Sequence, residues 1–140
     1  MAAFNKFNSF VEALAEKKHD LGADTLKVLL TNTAPVATNS VKADLTEIAA
    51  GNGYTAGGNT ASVTTSAQTS GIYKLVLGDP ATWSASGGSI GPFRYAVLYN
   101  DTATNDELIG WWDYGTAVTL ADGESFAVDF DPTTGVLTLA

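Results

Sequence analysis

Cysteine is absent from the 140 residues. Disulfide staples, thiolate nucleophiles, cysteine zinc sites and iron–sulfur clusters are therefore excluded. Histidine occurs once, as His19, so one chain cannot build a two-histidine metal site. Charged residues make up 16% of the chain, too few for a long coiled coil, and hydrophobic residues make up 45%, too many for a disordered segment. No apolar run approaches the roughly 20 residues a membrane helix needs, so no membrane partner is expected. The opening MAAFNKFNSF has no continuous apolar core behind its lysine and does not read as a secretory signal.

What is plentiful is small: 21 alanines, 18 threonines and 14 glycines. Threonine favours strands and glycine favours turns, which together predict many short strands with tight connections. A chain of this length hides roughly two thirds of its unfolded surface, enough for one sizeable core. The net charge of −8 is uneven: residues 1–42 carry +1, 43–74 carry −1 and 75–140 carry −8. An acidic body repels nucleic acid, so no nucleic-acid partner is expected.

Along the chain, Ser9 and Glu12 have capping-box spacing, and Phe10, Val11, Leu14 and Leu21 follow a helical period. The spacing predicts a helix from Ser9 that carries Lys17, Lys18 and His19 in its last turn and stops at Gly22. A strand is predicted over 25–31, two helical turns over 44–50, and a loop over 51–58. Further strands are predicted over 60–65, 72–77, 82–86, 93–99, 108–114, 116–120, 125–130 and 136–139. The turn at 121–124 joins two of them as a hairpin. This pattern predicts a single all-β domain over 1–140, a β-sandwich of jelly-roll-like character, with an N-terminal helical arm to about residue 22. Alternation assigns Leu26, Val28, Leu30, Tyr73, Leu75, Leu77, Tyr95, Val97, Trp111, Phe126, Val128 and Phe130 to its core.

Five groups of residues invite a functional reading. The glycine loop 51–58 lacks the Lys-Ser/Thr of a phosphate-binding loop and reads as a flexible or close-packed turn. Asp129 and Asp131 share a strand face, with Asp113, Asp122 and Glu124 in the same acidic half, but they alternate with aromatics as a solvated face does, and no metal or other cofactor is expected. His19, beside two lysines, reads as a surface helix end rather than a catalytic base. Trp111 and Trp112 must point to opposite faces of a regular strand, so one of them is core and the other exposed or covered by a partner. Trp83 and the tyrosines keep a sugar-stacking platform open. Finally, Phe4, Phe7 and Phe10 with Lys6 make an apolar, mildly basic arm. It reads either as a helix packed on its own sandwich or as a docking arm for another subunit.

Four runs carry a resemblance: Leu26–Asn32 (LKVLLTN), Gly51–Gly58 (GNGYTAGG), Phe93–Asn100 (FRYAVLYN) and Leu108–Gly115 (LIGWWDYG). They are similar to runs in small virion structural proteins of tailed bacteriophages. Size and strand pattern together resemble the capsid cement (decoration) proteins, such as the Bordetella phage cementing protein with its jelly-roll-like fold. The resemblance implies a non-enzymatic protein, made in the host cytoplasm, that sits on the outer surface of the virion capsid. There it would bind the major capsid protein and itself, as a homodimer or homotrimer, and stabilise the head shell by bridging subunits. Two alternatives stay open: a tail- or baseplate-associated structural protein, and a carbohydrate-binding adhesin module. The residues expected to meet a partner are Phe4, Lys6, Phe7, Phe10 and Trp112.

Overall fold

The computed structural model describes residues 2–140. In chain order its elements are β1 (Asn5–Lys6), α1 (Ser9–Ala15), β2 (Leu26–Thr31), a short 3₁₀ turn (Lys42–Asp44), β3 (Asn59–Ala61), β4 (Val63–Thr69) and β5 (Ile72–Leu77). Then follow β6 (Trp83–Ser84), β7 (Ile90–Asn100), β8 (Leu108–Leu120), β9 (Ser125–Phe126) and β10 (Leu137–Leu139). The chain is mainly β with one short N-terminal helix, as the sequence pattern predicts.

The strands form a five-stranded sheet in the order β1-β8-β7-β2-β3, a three-stranded sheet in the order β10-β5-β4, and a β6-β9 ribbon. Every pairing is antiparallel. The main core lies between the two larger sheets. Leu26, Val28 and Leu30 of β2 enter it from one side, and Leu75, Leu77 and Leu137 from the other. Trp83 of the ribbon and Phe130 close it. Seven of the twelve residues assigned to the core by alternation are buried. Four of the other five, Tyr73, Trp111, Phe126 and Val128, are half-buried and pack against buried clusters, and Tyr95 is half-buried.

The five-stranded sheet is covered on its outer face as well. Phe7, Leu29, Val97, Tyr99 and Leu108 form a second buried cluster, with Leu45 and Trp111 at its margin. This explains why β2 reads Leu-Lys-Val-Leu-Leu rather than as a strict alternation: a strand buried on both faces carries apolar residues on both. The covering material is the N-terminal segment and the chain around residues 36–45. Asn8 N–H donates to the Ala37 carbonyl at 2.9 Å, and Leu108 N–H donates to the Ser40 carbonyl at 3.0 Å.

Several local expectations are corrected. Phe93 faces the main core while Val97 and Tyr99 face the second cluster, because β7 and β8 shift register between Phe93 and Tyr95. A bulge of this kind moves all later side chains to the other face. The helix spans only Ser9–Ala15. Asn8, not Ser9, precedes it, and no side chain caps it, because β1 already fixes the chain's entry. It ends at Lys17, whose φ of 66° allows Lys18 N–H to reach the Ala13 carbonyl at 2.8 Å and Lys17 N–H to reach that of Leu14 at 3.3 Å. That is a Schellman closure, five residues before Gly22. Residues 44–50 are not helical beyond the 3₁₀ turn, since Ile48 N–H is drawn to the Leu30 carbonyl. The turn at 121–124 does not make a hairpin of its flanking strands: β9 pairs with β6, and residues 127–130 leave the strand.

Candidate functional site

The residues expected to meet a partner are the first to place. Phe7 is 0% exposed and Phe10 is 1% exposed. Phe7 lies against Trp111 with ring centroids 4.5 Å apart, and Phe10 lies 5.4 Å from the His19 ring. Trp112 is 7% exposed and sits in the main core between Phe4 and Phe130, each 5.3 Å away. Phe4 is half-buried, and its ring lies over Gly110, where any side chain would overlap it. Lys6 is exposed. The arm is thus stitched to its own body. Asn5 and Lys6 pair with Trp111 and Gly110, and Phe7 N–H donates to the Ile109 carbonyl. Phe7, Phe10 and Trp112 are corrected from docking residues to core, because this sheet offers them apolar surface before any partner does. The two tryptophans do face opposite ways, with Trp111 the more exposed.

The sequence pointed to no surface groove, but the fold builds one. Beside the edge where β7 and β8 meet residues 126–129, a groove of about 270 Å³ is lined by Phe93, Trp112, Tyr114, Phe126 and Val128, with Ala2 at one end. Tyr114 is 57% exposed and stands edge-on to Phe126 at 5.5 Å, which in turn stands edge-on to Phe93 at 4.9 Å. Arg94 lies along the groove and grips Asp113 in a two-pronged ion pair, Nε to Oδ1 at 2.8 Å and Nη2 to Oδ2 at 3.0 Å. The guanidinium holds the Asp113 carboxyl below its ordinary range, helped by the Gly115 N–H, and Asp113 in turn raises Arg94. The fixed pair presents a planar, charged edge beside an aromatic floor. Its only sequence signal is the Trp-Trp-Asp-Tyr run, whose partner Arg94 lies one strand away.

No family model, curated protein or solved structure matches the chain.

A second candidate is polar. His19 is 5% exposed, not a surface residue, and with Asp24, Glu107, Lys17 and Lys18 lines a cleft of about 870 Å³, behind which Asn100 is wholly buried. Asn100 organises the group. Its Oδ1 accepts from the N–H groups of Thr102 at 2.9 Å and Ala103 at 3.2 Å, which fixes the amide's orientation. Its Nδ2 therefore donates, to Asp24 Oδ2 at 2.6 Å and to His19 Nδ1 at 3.0 Å. His19 must accept at Nδ1, so the neutral ring carries its proton on Nε2. Nε2 has no hydrogen-bond partner among the described residues. Burial lowers the His19 pKa, against the raising pull of Glu107 and Asp24. A neutral ring with one nitrogen occupied and no hydroxyl bonded to the other is not arranged as a base beside a nucleophile. The arrangement ties the helix end, β2 and the β7–β8 loop together.

The glycine loop is close-packed. Tyr54 is buried and its hydroxyl donates to Glu47 Oε1 at 2.7 Å while accepting from Leu30 N–H at 3.0 Å. Gly57 N–H also donates to Glu47 Oε1, at 2.6 Å, and the Tyr99 hydroxyl donates to the Gly57 carbonyl at 2.6 Å. Burial pushes both tyrosine hydroxyls above their ordinary range. The Gly57 N–H, a group a phosphate would need, is already taken by a carboxylate. Among the described residues, no three acidic or histidine side chains gather as metal ligands. No helix among the described residues is long and apolar enough to cross a membrane.

Proposed function

We propose that the protein is a non-enzymatic virion structural protein of the capsid cement type. It binds the outer surface of a tailed-phage head shell and stabilises it by bridging major capsid protein subunits. The runs that resemble small virion proteins occupy β2, β7, β8 and the loop bolted to them, adjacent parts of one sheet. The observation that carries the reading is the groove. On a body that consumes Phe7, Phe10, Trp83 and Trp112 in its own packing, it leaves Tyr114, Phe126 and the Arg94–Asp113 pair at the surface. Aromatic residues and arginine are the usual anchors of protein interfaces. For the sugar-stacking alternative, Trp83 is core, while Trp112, 7% exposed, borders the groove beside Tyr114 and Phe126.

The physical logic of such a protein is mass action. A rigid body that binds the expanded lattice better than the unexpanded one adds its binding energy to the expanded shell. Many weak contacts repeated over the surface suffice. No cofactor, nucleic acid or membrane enters the scheme. The test is occupancy on purified shells stripped of the protein. Wild-type chain should saturate expanded shells and bind unexpanded ones weakly. Tyr114→Ala should weaken binding about tenfold or more, as loss of an interface anchor does. Arg94→Ala should alter the salt dependence of association. Virions imaged with this chain on the tail, or shells that leave the wild-type chain in solution, would refute the proposal.

A further inference from the structure

The cleft beside His19 lies between loops of the five-stranded sheet and the three-stranded sheet. The turn 19–24 and the loop 102–107 line it on one side, and Ser66 of β4, Tyr73 of β5 and Leu139 of β10 on the other. It shares no lining residue with the Arg94 groove. Two of its side chains are more than nine-tenths buried and unspent. Glu107 is 7% exposed and forms no ion pair among the described residues. Its carboxylate accepts one long hydrogen bond, from Asn105 N–H to Oε2 at 3.4 Å. His19 is 5% exposed, and its Nε2–H has no partner among the described residues. Burying a charge or a polar donor is costly unless a partner meets it. Asp24, by contrast, is already engaged, since its Oδ2 accepts from Asn100 Nδ2 at 2.6 Å and from Asp20 N–H at 2.8 Å.

The charges of the lining select the class of ligand. Lys17 and Lys18 share the cleft with Asp20, Asp24 and Glu107. An anion such as phosphate meets three carboxylates there, and a polycation meets two ammonium groups. A neutral ligand avoids both penalties. It must bring a donor for Glu107 and an acceptor for the His19 Nε2–H. A hydroxyl is donor and acceptor at one atom. The rest of the lining suits a ligand that carries several. Thr104 and Asn105 offer exposed polar side chains, while Tyr73 and Leu139 offer apolar surface to C–H groups. At about 870 Å³ the cleft is in the size range of small-molecule sites.

We propose that this cleft binds a neutral saccharide. Glu107 accepts a hydrogen bond from a sugar hydroxyl, His19 donates its Nε2–H to a sugar oxygen, and Tyr73 lies against the ring. The site is separate from the aromatic groove and does not depend on the capsid reading. With few buried polar contacts, its affinity for a single sugar unit is about millimolar.

The test titrates the full chain with glucose, galactose, mannose, N-acetylglucosamine, maltose, cellobiose and lactose, and follows backbone amide shifts. At least one sugar should give saturable shifts at residues 19–24 and 102–107 while leaving 113–115 in place. Added salt should change the affinity by less than about twofold, because the ligand is uncharged. Glu107→Gln keeps the side chain's shape but replaces a charged acceptor, and should weaken binding about tenfold or more. Because Glu107 is buried, a second variant probes the site from its exposed rim. Thr104→Arg lays a long side chain across the mouth and should abolish saturation, with thermal unfolding unchanged. Sodium phosphate and putrescine serve as charged controls. Failure of every sugar to move the cleft amides would overturn the proposal and leave the cleft to water. Phosphate or putrescine binding there more tightly than every sugar would also overturn it. So would sugar shifts that fall instead on 112–115 and 126–128, which would move the saccharide to the groove, or sugar binding indifferent to either variant.

Discussion

Replacing Phe7 with alanine distinguishes an arm that belongs to the core from one that waits for a partner. Phe7 is wholly buried, its ring 4.5 Å from that of Trp111, in a cluster with Leu29, Val97, Tyr99 and Leu108. Truncating a buried phenylalanine costs about 3–5 kcal/mol, the lost transfer energy plus the cavity left behind. Unfolding entropy near 2.1 cal/mol/K per residue makes each kcal/mol worth about 3 °C in a chain of this size, so the midpoint should fall by roughly 10–15 °C. That is a large share of a typical total stability of about 5–15 kcal/mol. Lys6→Ala, one residue away on the exposed side, should change stability by no more than about 0.5 kcal/mol. Scanning calorimetry of the two variants gives the comparison. Tryptophan emission adds a second readout, since losing the Phe7 ring opens Trp111 to water and should shift its emission to the red. If Phe7→Ala melts within a degree or two of Lys6→Ala, the segment is not part of the core. The docking role would then return to it.

Three further outcomes follow from the geometry. Gly58→Ala should destabilise by about 1–3 kcal/mol in chemical denaturation, because φ is +75° and the new methyl would collide with the Val28 carbonyl, whereas Gly123→Ala, with open space around it, should cost less. Tyr54→Phe should cost about 1–3 kcal/mol by the same assay, since it strips a partner from both Glu47 and the buried Leu30 N–H. Because burial lowers the His19 pKa below its ordinary 6.5, the folded and unfolded chains bind protons alike above that pH, and the unfolded chain binds more below it. Stability should therefore begin to fall as pH drops below about 6.5, before the carboxylates titrate. His19→Gln should remove that first phase from a melting series across pH, and a phase that persists would trace to another group.

What the sequence revealed depended on how local the cause was. β2 and β5 were legible because no bulge within either strand interrupts its core-facing set, Leu26, Val28 and Leu30 in one and Leu75 and Leu77 in the other. Val97, assigned to the sandwich core, lies in the second cluster instead, because the register shift that turns β7 comes from pairing with β8, and no residue of β7 announces it. The capping box at Ser9 and Glu12 has the right residues at the right spacing. It fails because Asn8 is already committed by the adjacent β1, a contact with residue 111 that local propensity cannot see. His19 looked like a surface residue from its lysine neighbours, and the Asn100 amide that buries it comes from the far end of β7. The groove was illegible for the same reason: Arg94 and Asp113 become a site only when β7 and β8 lie side by side.

The pairing of β1 with β8 also dictates when this chain can finish folding. Asn5 and Trp111 are 106 residues apart in sequence, yet they are hydrogen-bonded neighbours in the sheet. At about 5–20 residues per second, a ribosome needs several seconds to deliver the second of them after the first. Throughout that interval Phe4, Phe7 and Phe10 have no sheet to lie on. The N-terminal segment therefore spends its early life as exposed apolar chain, open to chaperones or to its neighbours on a polysome. The last large strand to emerge completes the structure of the first. A topology so rich in distant contacts also folds slowly once released. Synthesis conditions that slow elongation between Lys6 and Trp111 should lengthen this vulnerable period and lower soluble yield, with no change in the finished protein.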